Sequence, residues 1–281
     1  PMCLIDKPQQ GTGAGLLVEA ISRIATNRLE NLTTCPENED EWRKKITTLL
    51  LNSPRLIILD NVDRKMYSSN LAAVLTAETW TDRILGASDL RRLPHRAVWF
   101  ATGNNLKLGG DIPRRCYWIR MDAKEARPWQ RSGFKHNPLL PWVSENRGEL
   151  IGAILTLARK WYQADAPLPE GISNMGTFDD WSNVVGGILQ HVGIRDFLGN
   201  MAKMYEEADQ DTPQWSAFLD AWFERWGEDA IKVSTVIEAI ENDSTLSDVV
   251  PESAGTKDSK GFSRRMGKAL SKRKEVRYPN G

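Results

Sequence analysis

The sequence is short of the residues that staple or metallate a small domain. Three cysteines (Cys3, Cys35, Cys116) and three histidines (His95, His136, His191) are scattered over 281 residues with no paired spacing. That scatter argues against a disulfide framework and a zinc site, and it suits buried or incidental thiols in a reducing cytoplasm. Long apolar runs are missing as well. None approaches the roughly 18 residues a membrane-spanning helix needs, and no secretory signal with a small-residue cleavage site is present. No membrane partner is expected. Net charge is also absent, with 37 basic against 37 acidic side chains, so bulk charge says nothing about nucleic acid.

What the sequence does have is apolar material for a core: 41% of residues are hydrophobic and 26% charged. The length allows one large domain or two ordinary ones. The chain runs from Pro1-Met2-Cys3 straight into an apolar stretch, so it is expected to start in mid-fold with a further region upstream.

Along the chain, 2–6 reads as a buried strand, 7–13 as a Gly/Pro loop, and 14–29 and 38–51 as helices. Strand 55–59 ends on Asp60, 68–79 reads as a helix capped by Ser68 or Ser69, and 82–93 as a hairpin turning near Gly86-Ala87-Ser88. Further strands are expected at 97–102 and 116–121. Strands alternating with helices imply an α/β fold with a parallel sheet. From about residue 137 the pattern turns helical, at 139–163, 179–190 and 194–208. The aromatic run 213–226 reads as an amphipathic helix, with a core face favoured over a base-stacking platform. Residues 232–241, 246–249, 262–272 and 276–278 fit helix, short turn, helix and terminal strand, the outline of a small winged-helix-like module. The expected domains are thus 1–136, a helical region 137–210, and a basic module 211–281.

The first chemical signal is the strand–loop–helix at the start. A phosphate loop wraps backbone N–H groups around anionic oxygens at a helix N-terminus, where the dipole adds its attraction. Gly11-Thr12-Gly13 is present, flanked by Gln10 and Leu16, but Ala14 stands where a lysine is expected and Gly15 where a magnesium-binding hydroxyl is expected. Alone, this loop reads better as an ordinary glycine turn. Lys7 could supply the missing cation from the other side of the loop, with Lys107 more remote. The second signal is Asp60 at the end of an apolar strand, suited to a magnesium ion facing that loop. Asn61 follows where many such enzymes have a water-polarising glutamate, and Asp63 lies just beyond. The third is strand 97–102 running into Gly103-Asn104-Asn105, an amide placed to sense a terminal phosphate, followed by Arg114 and Arg115 as candidate arginine fingers on a neighbour's nucleotide.

With loop, carboxylate, amide and arginines in this order, the runs LIILDNV, LTAETWTDRILG, LPHRAVWFATGNNLKLGGDIPRRCYWIRMD and WVSENRGELIGAILTLARKW resemble the AAA+-type P-loop ATPase part of phage- and plasmid-borne primase–helicase proteins. The resemblance implies a ring-forming motor that binds ATP and Mg2+ and acts on single-stranded or forked DNA beside an upstream primase domain, in a bacterial cytoplasm. On it, Gly11, Thr12 and Gly13 belong to the phosphate loop and Asp60 to the magnesium site; Lys7, Gln10, Ala14, Gly15 and Leu16 complete the candidate nucleotide site, although Ala14, Gly15 and Asn61 depart from the family's pattern. Asn61, Asp63, Asn104, Asn105, Arg114 and Arg115 are then candidates for the chemistry. Two alternatives stay open: a nucleotide-binding ring scaffold deficient in hydrolysis, and a DNA-binding replication protein without nucleotide.

The tail adds a cationic signal. Arg264, Arg265, Lys268, Lys272 and Arg273 recur at helical spacing, so several share a face that could meet a DNA backbone. Arg83, Arg91, Arg92 and His95 make the 82–93 hairpin a second candidate, one that could reach into a ring's central channel.

Overall fold

The computed structural model describes residues 1–30, 32–84, 89–208, 211–276 and 278. Packing divides it into two units, Pro1–Ala208 and Asp209–Gly281. No helix among the described residues is long and apolar enough to cross a membrane.

The first unit is a mixed α/β fold on a five-stranded parallel sheet. Its strands are β1 (Met2–Lys7), β2 (Leu32–Thr33), β3 (Leu56–Val62), β6 (Val98–Asn104) and β7 (Cys116–Arg120), in the order β2-β3-β6-β1-β7. β4 (Thr79–Arg83) and β5 (Leu90–Pro94) form a separate antiparallel hairpin. The turn expected at Gly86–Ser88 lies outside the described residues. β1 is paired on both sides and buried on both faces, which explains its unbroken apolar run.

Between the strands run α1 (Ala14–Thr26), α2 (Glu39–Leu51) and α3 (Ser69–Thr76). Asn38 caps α2 by accepting from the Glu41 N–H at 3.0 Å, and three acidic residues in the first turn complement the dipole. Ser68 caps α3 in the same way through Leu71. The pleat sends Met2, Leu4, Ile57, Leu59, Trp99 and Ala101 into a large core with α2 and α3. It sends Cys3, Ile5, Ile58 and Phe100 to the opposite face, against Ala14 and Val18 of α1.

The helical stretch departs from the sequence reading in two places. Residues 139–163 form two helices, α4 (Leu139–Glu145) and α5 (Arg147–Gln163), parted at Asn146, whose side chain bonds back to the Trp142 carbonyl at 2.8 Å. After α6 (Asp179–His191), residues 194–200 are not helical. Gly193, Asp196 and Leu198 all have positive φ, and α7 begins only at Met201, running to Ala208.

Described by itself, the second unit is helical: α8 (Asp211–Trp226), α9 (Val233–Asn242), α10 (Ser244–Ser247) and α11 (Phe262–Lys272). Trp215 and Phe218 of α8 are fully buried with Val236, Ile240 and Met266, so the aromatic helix does present a core face. The strand expected at 276–278 is not formed at Val276 or Tyr278, and Arg277 lies outside the described residues. Without a paired partner strand an extended tail has no ladder to join, so the wing expected of this module is missing among the described residues.

Candidate functional site

β1, β6 and β3 are neighbours, yet the chain leaves β1 for β2 on one side of the sheet and leaves β6 for β7 on the other. Their carboxyl ends therefore frame the point where strand order reverses, the usual place for a ligand in an open parallel sheet. The pleat decides which side chains meet there. Cys3 and Ile5, Ile58, and Phe100 face α1. By alternation Lys7, Asp60, Thr102 and Asn104 fall on that same face. Lys7 sits opposite Asn104 in register. Neither side chain has a hydrogen-bond or ion-pair partner among the described residues.

Asp60 is held in place. The Thr102 hydroxyl donates to Asp60 Oδ1 at 2.6 Å and accepts from the Asn61 N–H at 3.0 Å. One threonine so joins the ends of β3 and β6 and orients the carboxylate. Gly103 makes the joint possible, since a Cβ there would lie 2.6 Å from the Val62 carbonyl oxygen. Asn61 is exposed with φ 52°. Asp63 turns outward to pair with Arg64 at 3.3 Å.

The loop enters α1 through Gly11 and Gly13, at φ 77° and 97°. The start of α1 has no side-chain cap and no acidic residue in its first turn, leaving its N–H groups and positive dipole end uncompensated. Thr12 is buried and its hydroxyl has no partner among the described residues. Gln10 and Leu16 are exposed. Ala14 is 1% exposed, packed in the apolar layer beneath the sheet, whereas a Cβ on Gly15 would meet nothing within 4 Å. The first missing group is thus replaced by packing and the second by open space.

Asn105, also at φ 48°, plays a joining role. Its N–H donates to the Lys7 carbonyl at 3.0 Å and its Nδ2 to the Pro8 carbonyl at 3.4 Å, while Oδ1 accepts from Arg120 at 3.2 Å. Arg120 pairs with the buried Asp6, whose other oxygen accepts from the Leu106 N–H at 2.8 Å. Asn105 is therefore committed, and Asn104 is the free amide of the two.

Arg114 and Arg115 precede β7, at the amino end of the sheet, so the structure does not bring them to the strand-end group of their own chain. Arg115 is bound to Thr76 at 2.7 Å and to Asp111 at 3.3 Å. Arg114 pairs with Asp111 at 2.7 Å but stays largely exposed. Lys107 is exposed. In the hairpin, His95 Nε2 accepts from the Trp99 indole at 2.8 Å and Nδ1 lies 2.9 Å from the Ala77 carbonyl, so both ring nitrogens are committed to the fold. Arg91 pairs with Asp89 at 2.6 Å, whereas Arg83 and Arg92 are exposed without side-chain partners among the described residues.

The tail cations separate in the same way. Arg273 lies 4.1 Å over the Trp215 ring and 3.3 Å from Asp211, and Arg265 folds onto Ser259 and the Lys260 carbonyl. Arg264, Lys268 and Lys272, four residues apart on α11, are exposed and unpaired among the described residues. No three His, Cys, Asp or Glu side chains gather to hold a metal among the described residues. Burial pushes the Cys3 thiol up to about 11 and the Cys116 thiol higher still, so both stay protonated and inert.

One feature the sequence reading missed is the segment after β7 that clasps the loop. Gln9 donates to the Glu125 carbonyl, Arg131 donates to the Thr12 carbonyl at 3.3 Å, and a Cβ on Gly11 would lie 3.0 Å from Trp129 Cβ. Pro128-Trp129 in a charged, otherwise featureless stretch was the available signal.

A scan against protein-family models finds no match, and a search of curated proteins finds none. Among solved structures the chain is similar to "the A form apo structure of NrS-1 C terminal region-CTR", at 14% identity and a TM-score of 0.42. The match covers 86% of this chain and 49% of that one, so the chain spans about half the length of that structure.

Proposed function

We propose that the chain is the nucleotide-binding, ATP-dependent motor part of a DNA replication protein, with the phosphates of ATP bound at the start of α1. The observation that carries this reading is the gathering of Lys7, Asp60, Thr102 and Asn104 on the α1 face of the sheet, beside an uncapped helix N-terminus and a buried, partnerless Thr12 hydroxyl. The residues fit an anionic ligand: uncapped N–H groups, a dipole end and an unpaired lysine.

Asp60 fits a magnesium ion in the mode where one or two carboxylates share the ion with substrate phosphates and waters. Such an ion would neutralise charge developing on the phosphates. Thr102 fixes the rotamer of Asp60 so that one oxygen is spent on the sheet and the other is free. Asn104 offers an amide to a terminal phosphate or to the attacking water. Arg114, exposed at the far end of the sheet, could act only on the nucleotide of a neighbouring chain, which is why the motor reading includes a homo-oligomeric ring. The cationic stripe of α11 is the DNA-contacting surface in this reading.

A second reading, a ring scaffold that binds nucleotide without turning it over, is favoured by one specific observation. No carboxylate follows Asp60 on the strand end, and Asp63 is committed to Arg64. Two measurements decide. Calorimetric titration with Mg–ATP tests the nucleotide site, and absence of binding would overturn both readings. Steady-state phosphate release with and without single-stranded DNA then tests the motor. Turnover raised by DNA supports it, and binding without turnover leaves the scaffold.

A further inference from the structure

The clasp on the loop has a property that simple bracing does not require. Trp129 sets its Cβ, its backbone nitrogen and one ring edge, at Cε3, against Gly11, at 3.0, 3.2 and 3.2 Å from where a Cβ would stand, yet the residue remains 60% exposed. A tryptophan that only plugged the loop would bury its ring, because the ring is most of its apolar area. Next to it, Arg131 reaches the Thr12 carbonyl, and its guanidinium lies 5.5 Å over the ring of Phe134, which is also exposed. The Trp129 indole and the Arg131–Phe134 pair are thus both anchored at the edge of the phosphate loop, through the Gly11 and Thr12 contacts respectively.

Exposed aromatic faces with an interleaved arginine are the chemistry that takes up a nucleobase: stacking on the ring and cation–π attraction, with little regard to which base. A ligand whose phosphates lie at the start of α1 would have its base within the length of one ribose of this edge. We infer that Trp129 is the base-stacking platform of the nucleotide site, with Arg131 as the residue that positions the segment on the loop. The inference rests on the nucleotide reading proposed above. It adds how the base is held and predicts a site that binds nucleoside triphosphates by stacking rather than by reading their edges.

The ring edge at Cε3 shares in the bracing, so the ligand separates the two roles: tripolyphosphate needs only the loop, whereas a nucleotide needs the stack as well. W129A keeps the nitrogen and Cβ that meet Gly11 and removes the ring; W129F keeps a stacking face. The full chain is titrated calorimetrically with Mg–ATP, Mg–GTP and inorganic tripolyphosphate. Loss of one base–aromatic stack is expected to weaken both nucleotides about 5- to 150-fold in W129A. Tripolyphosphate, which has no base, is expected to bind W129A and the parent alike, and W129F is expected to recover most of the nucleotide affinity. Equal weakening of tripolyphosphate and ATP would overturn the inference, since Trp129 would then act by shaping the loop. So would unchanged ATP affinity in W129A. If the parent chain binds tripolyphosphate no less tightly than ATP, the phosphate site stands and the base platform falls. If it binds neither, the nucleotide reading itself falls and the platform with it.

Discussion

Replacing Lys7 with glutamine removes one positive charge from the α1 face at almost no cost to the fold. The side chain is half-buried at the end of β1 and has no partner among the described residues, so no ion pair is broken and no buried acid is orphaned. Its backbone duties are untouched by the change: its carbonyl still accepts from the Asn105 N–H at 3.0 Å. Stability should therefore move by no more than about 0.5 kcal/mol. Binding should move much more. Charge-assisted contacts to phosphate contribute about 1.5–3 kcal/mol each, which at 1.4 kcal/mol per decade is about a 10- to 150-fold rise in the Mg–ATP dissociation constant. Lys107→Gln is the matched control. That lysine is exposed beyond the end of β6, and its loss should change affinity by less than about twofold. The assay is calorimetric titration of both variants and the parent at two salt concentrations, with urea unfolding under the same buffer. The parent's affinity should fall with salt more steeply than that of Lys7→Gln. A Lys7→Gln variant that folds normally and binds ATP within twofold of the parent would refute the idea that Lys7 replaces the absent loop lysine. The helix-end amides alone would then hold the phosphates.

Three further outcomes follow from other parts of the structure. Gly103→Ala should destabilise the first unit by about 1–3 kcal/mol, because the new Cβ would stand 2.6 Å from the Val62 backbone oxygen, which cannot swing away as a side chain can; an unchanged urea midpoint would contradict this. Burial works to raise the Asp82 carboxyl, but hydrogen bonds from Thr47 and the Arg83 N–H and the charge of Arg43 outweigh it and hold it below the ordinary carboxylate value. A depressed folded value means the stabilisation is complete above the unfolded value near about 4 and is lost as pH falls through the folded one, so Asp82→Asn should flatten the acid limb of stability against pH, and parallel curves would sink the assignment. Changing Arg264, Lys268 and Lys272 together to glutamine should reduce the salt dependence of DNA binding by about 2–3 in log–log slope, read by fluorescence anisotropy at several salt concentrations, whereas an unchanged slope would remove α11 from the interface.

How far the sequence could be read depended on whether a feature is local. The strands β1, β3 and β6 announce themselves because a parallel sheet covered on both faces demands an unbroken apolar run, and the edge strand β7 shows a shorter one, CYWI. The bounds of α11 follow from its buried Phe262, Met266 and Ala269 at helical spacing. β2 escaped notice, being two residues long. Residues 194–200 kept the apolar spacing of a helix, but the left-handed backbone at Asp196 and Leu198 is decided by packing and leaves no mark on periodicity. Among the site residues, sequence order alone could mark Asp60 and the Asn104–Asn105 pair. It could not say which asparagine is spent, because that depends on Arg120 and Pro8 arriving from other strand ends. The same holds for Arg265 and Arg273, which look like their neighbours on α11 until their contacts with Ser259, Asp211 and Trp215 are known.

These contacts also separate two questions that the loop sequence runs together. Holding an anion requires donors, a dipole end and a cation, and each has a counterpart here: the uncapped start of α1, the Thr12 hydroxyl and Lys7. Ala14 subtracts little from that set, since its position is absorbed into the apolar layer under the sheet and a lysine reaching from β1 approaches the same strand ends. Splitting ATP asks for something else, a group that aligns or deprotonates water beside the phosphate. Asn61 has no charge, Asp63 faces Arg64, and Asp60 has one oxygen tied through Thr102 and the other given to the metal in the motor reading. The remaining candidate on the correct face is the Asn104 amide, which can orient a water but cannot take its proton. In the motor reading any turnover would then draw its transition-state charge stabilisation from cations, the metal at Asp60 and Lys7 within the chain and Arg114 from a neighbour, so hydrolysis should depend on assembly far more steeply than nucleotide binding does.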